Sequence, residues 1–112
     1  MATIIVQAAP ARTGVDLTAQ AVACTGGGDK FLPTKNNELV AIINGDASPH
    51  TVSITQETTV DGVTPAAKQI TVPAGHTVVF GPFPSNYVDS NGFVNFTYDA
   101  VTSLKIAVFQ PA

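Results

Sequence analysis

A chain of 112 residues has room for one domain, and with 45% hydrophobic residues it can bury one core without metal or disulfides. Only 12% of the residues are charged, against about 25% in an ordinary globular domain; with this apolar content that excludes a disordered chain and points to surface covered by something other than water. A net charge of −3 with five basic residues excludes a nucleic-acid-binding face, which needs clustered Lys and Arg to neutralise phosphates.

The first expected element is Thr3 to Gln7, a short strand or arm carrying Ile4, Ile5 and Val6. Helical character is confined to Val15 to Cys24, where Ala favours a helix but Thr, Val and the following Gly26-Gly27-Gly28 oppose it; an extended or irregular stretch with at most a helical turn is expected. Asp29 to Leu32 is a further short strand. Glu38 to Asn44 is apolar on both faces, so it is central in a core or covered by a partner. In His50 to Gln56, Val52 and Ile54 alternate with Thr51, Ser53 and Thr55. Gln69 to Val72 and Thr77 to Phe80 flank Pro73-Ala74-Gly75-His76. A hairpin matching Val72 to Val78 and Ile70 to Phe80 gathers four apolar side chains on one face, with Gly75 supplying the left-handed turn residue. Val94, Phe96 and Tyr98 share a face, as do Leu104, Ile106 and Val108; a second hairpin with Tyr98 opposite Leu104 across the loop Asp99 to Ser103 satisfies both.

About seven or eight short strands, separated by Gly and Pro, predict an all-β antiparallel β-sandwich. Periodicity does not distinguish a jelly-roll from an immunoglobulin-like connection. One domain spans 1–112, with 1–28 an N-terminal arm or irregular segment and 29–112 the sandwich body. No stretch reaches the roughly 20 apolar residues that span a bilayer, and the start lacks the basic region of a signal peptide, so no membrane partner is expected.

Candidate chemistry is sparse. Cys24 is the only cysteine, so it forms no internal disulfide and no thiolate zinc site alone. His50, His76 and Cys24 lack the spacing of a copper site, and exposed loop histidines are the expectation. Cys24 reads as a buried small apolar residue. Gly26 to Lys30 lacks the ending of a phosphate loop. Asp89-Ser90-Asn91-Gly92 lacks the later ligands of a calcium loop and reads as a turn. Asp46, Asp61 and Asp99 fall at turns, where Asp bonds its own backbone. Phe80, Phe96 and Tyr98 fall on the core face. Phe83, Tyr87 and Phe93, around Pro82, Pro84 and the Asn-Gly turn, are candidates for an exposed apolar patch. No catalytic group, cofactor or metal is expected; a structural or interaction protein is favoured over an enzyme.

From Asn37 onward the sequence resembles small capsid decoration (cement) proteins of tailed bacteriophages. The shared features, in order, are a strand ending in Asn44-Gly45, the turn Val72-Pro73-Ala74-Gly75, then Gly81-Pro82-Phe83-Pro84 and Asn91-Gly92-Phe93-Val94-Asn95-Phe96-Thr97-Tyr98. Ala100-Val101-Thr102-Ser103 and an apolar strand close the chain. The resemblance implies a non-enzymatic β-sandwich, made in the host cytoplasm, that binds the outer surface of an assembled capsid, often as a homotrimer, with the major capsid protein as partner. Beside it, Ile4, Ile5, Val6, Val40, Ile42, Phe83, Tyr87 and Phe93 are the candidates for capsid or self-association contacts. Two alternatives are a tail or fibre-associated virion sandwich and a carbohydrate-binding module with Tyr87 and Phe93 as platform, the latter disfavoured by the absence of Trp.

Overall fold

The computed structural model describes residues 2–9, 16–34, 37–57, 59, 61–63 and 65–111. Ten strands run through them: β1 (Ala2–Ile4), β2 (Val6–Ala9), β3 (Val22–Ala23), β4 (Asp29–Phe31), β5 (Leu39–Asn44), β6 (His50–Ile54), β7 (Lys68–Val72), β8 (Thr77–Phe80), β9 (Val94–Tyr98) and β10 (Leu104–Pro111). One helical turn, α1 (Leu17–Gln20), precedes β3; Asp16 begins it by accepting a hydrogen bond from Ala19 N–H at 3.1 Å. The first sheet has the order β1-β4-β9-β6-β7 and the second β2-β10-β5-β8, with β3 also on β10. The two pack as a β-sandwich, and most of their pairings are antiparallel.

Alternation of side chains decides what is inside. Val52 and Ile54 of β6, Val94 and Phe96 of β9, and Phe31 of β4 face Val40 and Ile42 of β5 and Leu104, Ile106 and Val108 of β10. Phe31 and Phe96 stack at 5.8 Å, and Phe83 meets both edge-on. β5, apolar on both faces, is central in its sheet between β10 and β8. Val40 and Ile42 point into the core, while Ala41, on its other face, is also fully buried.

Neither expected hairpin forms. β7 pairs with β6 and β8 with β5, so Pro73 to His76 carries the chain from one sheet to the other. Likewise β9 belongs to the first sheet and β10 to the second, so Asp99 to Ser103 is a crossover. The inward faces were legible; their arrangement was not. Four apolar side chains can converge from neighbouring strands of one sheet or from opposite sheets, and alternation is the same in both.

In the N-terminal segment the strand alternative for Thr3 to Gln7 holds, as two strands added to the sandwich. β1 lies parallel to β4 and β2 parallel to β10, with the break at Ile5. A single extended segment thus closes one seam between the sheets by pairing first with one and then with the other.

Candidate functional site

The register of β1, β4 and β9 builds an apolar patch. Ile4 pairs with Phe31, and Phe31 with Val94, all three facing the core. Just beyond these paired residues, one position after Ile4 and Phe31 and one before Val94, come Ile5, Leu32 and Phe93, of opposite parity to the core residues. Ile5 is 75% exposed and Leu32 47% exposed. Phe93 is half-buried, and the Lys30 ammonium sits 4.4 Å above its ring. The rest of that outward face is polar, with Thr51, Ser53, Gln69, Thr71 and Thr97. Below the patch, Asp89 fixes the turn into β9. Its Oδ1 accepts Asn91 and Phe93 N–H, its Oδ2 accepts Asn95 Nδ2–H, and Asn95 leads the influences holding this carboxyl below its ordinary range.

Sequence reasoning placed Ile5 and Phe93 in the contact set and missed Leu32, which a register between β4 and β9 would have supplied. The other candidates lie elsewhere. Val40 and Ile42 are fully buried in the core, which corrects the expectation of a self-association face there. Ile4 is also core, and Val6 packs against it. Phe83 is folded inward, 9% exposed, rather than displayed: four other rings, Phe31, Phe80, Tyr87 and Phe96, surround it within 6.1 Å. Tyr87, in the single 3-10 turn Ser85–Tyr87, is half-buried against it.

The polar groups are used structurally. His50 is buried, not exposed, because it shares the inward parity of Val52 and Ile54. Its Nε2 meets Asp46 Oδ2 at 2.9 Å and its Nδ1 meets Asp99 Oδ1 at 3.1 Å. The bond to Asp46 leads the influences raising the His50 pKa, against burial, with Asp99 adding to it. Nearby, buried Asn44 donates to Ser48 and Val72 carbonyls and accepts Asp46 N–H. His76 is exposed.

Cys24 is buried, and desolvation pushes its thiol up to about 12 despite a hydrogen bond with Tyr98. A thiol held that far from ionisation is a poor nucleophile. Beside it, Tyr98 Oη–H donates to buried Asp29 at 2.7 Å. Among the described residues no group of His, Cys, Asp or Glu is arranged to hold a metal ion, and no helix is long and apolar enough to cross a membrane.

No family model matches the chain, and no curated protein or solved structure matches it either.

Proposed function

We propose that the protein is a non-enzymatic virion component that binds the outside of an assembled tailed-phage capsid and stabilises it. The observation that carries this reading is the patch Ile5, Leu32 and Phe93 on an otherwise polar sheet face. The resemblance from Asn37 onward supports it. Fully burying a side chain the size of Ile or Leu is worth about 1.5–3 kcal/mol, so two such residues give a folded sandwich a modest anchor. A folded protein also loses little entropy on docking. Binding the mature lattice alone stabilises that lattice by mass action. A homotrimer multiplies three modest contacts through effective concentration; the major capsid protein is the partner.

The test is co-sedimentation with expanded phage heads stripped of decoration, using the wild type and Ile5→Asp. Ile5→Asp changes an exposed side chain, so stability should move by no more than about 0.5 kcal/mol while binding is lost. Undiminished binding of Ile5→Asp rejects the patch; failure of the wild type to bind any such head rejects the capsid reading. Hundreds of copies per particle separate decoration from a tail component. The sugar-binding alternative needs Tyr87 and Phe93 as one platform. Tyr87 turns toward Phe83, whereas the Phe93 face is taken by Lys30.

A further inference from the structure

The sandwich has a second seam opposite the one its N-terminal segment closes. There β7 ends the first sheet and β8 ends the second, and among the described residues neither has a strand on its outer edge. Between them lies a groove of about 180 Å³, floored by Ile54, Ile70, Phe80, Phe83 and Tyr87. It continues past Pro82 into a wider dish reaching Val88. Lys68 lines it too. Its parity is that of Ile70 and Val72, which pack in and against the core, so it leaves β7 on the groove side while remaining exposed at the rim. Among the described residues Lys68 has no ion-pair partner.

We propose that this seam is a docking site for an extended segment of a partner protein that carries a carboxylate. Three features define the occupant. Unpaired strand edges offer backbone donors and acceptors to an added strand. The apolar floor takes the side chains that such a strand presents on one face. Lys68, exposed at the rim of the apolar floor, supplies the charge that a carboxylate beside that strand would meet. The molecule already contains the pattern at its other seam, where one extended segment pairs with β4 and then with β10. The site is separate from the Ile5 patch and does not depend on the capsid reading.

A lysine on an edge strand also has a simpler use, which is to deter unwanted pairing. Amide chemical shifts of the full chain, titrated with two acetylated hexapeptides, Val-Thr-Val-Thr-Val-Asp-amide and its Asn counterpart, separate the two. Docking predicts shifts centred on β7, β8 and the turn Ser85–Tyr87, with the Asp peptide binding about two- to fivefold more tightly than the Asn peptide, the step of one exposed ion pair. Lys68→Gln should erase the difference, and Lys68→Glu should turn it against the Asp peptide, with both variants folded as judged by their spectra. Equal binding of the two peptides, shifts centred elsewhere, or no shifts at millimolar peptide overturns the proposal. Concentration-dependent self-association that broadens the same amides and is abolished by Lys68→Glu overturns it in favour of a second copy.

Discussion

Tyr98, the last residue of β9, donates its phenolic hydrogen to Asp29, the first residue of β4, at 2.7 Å in the interior of the sandwich. The same Oδ2 accepts Thr25 N–H, which fixes the glycine-rich entry to β4. Burial leads the influences raising the Tyr98 pKa, so it remains a donor throughout the working range. Tyr98→Phe leaves a fully buried carboxylate short of one partner. It should destabilise the protein by about 1–3 kcal/mol, read as a lower urea midpoint with unchanged slope. Asp29→Asn keeps an acceptor for both donors, so it should cost less than Tyr98→Phe.

Stability should have a maximum in mildly acidic solution because of His50. Its folded pKa is raised, so its contribution is complete below the ordinary imidazole value near ~6.5 and is lost as pH climbs through the higher folded value. Asp46 is lowered, first by its bond to His50 and then by Ala47 N–H. Asp99 is pushed up by burial, but its bonds from His50, Thr51 and Ala100 outweigh this and hold it low. Their contribution is complete above the ordinary carboxylate value near ~4 and fades as pH drops through the lower folded values. Thermal melts across pH should therefore peak between these limits. His50→Gln should flatten the loss on the alkaline side; a wild-type profile flat from pH 5 to about 8 contradicts this role for His50.

Gly81 should not tolerate alanine. Its φ is +123°, and a Cβ there would stand 2.8 Å from the Glu38 carbonyl oxygen and 3.3 Å from the Phe83 ring. The Leu39 side chain at 3.2 Å can shift, but the Glu38 backbone carbonyl cannot yield in the same way. Gly81→Ala should cost about 1–3 kcal/mol and disturb the groove beside it, visible as shifted Phe83 and Tyr87 resonances. Gly26, with open space around its position, is the control and should accept alanine with little change.

Phe96 carries the aromatic core. It is fully buried, and Phe31, Phe80 and Phe83 all pack on its ring. Phe96→Ala should cost about 3–5 kcal/mol, enough to leave a domain of ordinary stability largely unfolded at elevated temperature. Phe96→Leu should be milder and still fold, with both read by calorimetry.

Alternation made the core legible: Val52, Ile54, Val94, Phe96, Leu104, Ile106 and Val108 are inward as their spacing says. It also contained the burial of His50, two residues before Val52, but a histidine after a proline reads as a loop residue until its partners Asp46 and Asp99 are known. Those partners come from the β5–β6 loop and from the crossover after β9, and no local pattern brings them together. The same limit hid Leu32, whose neighbours Ile5 and Phe93 belong to strands far away in the chain. It also hid the destination of β8, because turn chemistry at Gly75, with its φ of +72°, serves a crossover as well as a hairpin. Phe83 was misjudged because its loop bends back over the open end of the sandwich. Its ring meets Phe31 of β4, Phe80 of β8 and Phe96 of β9 as well as Tyr87 of its own loop.

The position of β10 has a consequence in time. The last strand of the second sheet to be synthesised lies inside it, between β2 and β5. Until residues 104–111 have left the ribosome, β5 has no partner on that side and the Val6–Ala9 segment has none at all in that sheet. A nascent chain therefore carries a strand that is apolar on both faces with one edge open, the state most prone to pairing with another chain. Closure needs contacts between strands far apart in sequence, β2 with β10, so folding is expected to be slow and to wait for β10 to emerge. Clipping within β10 would remove the support of β2, β3 and β5 at once, so limited proteolysis there should unfold the second sheet as a unit instead of trimming one edge.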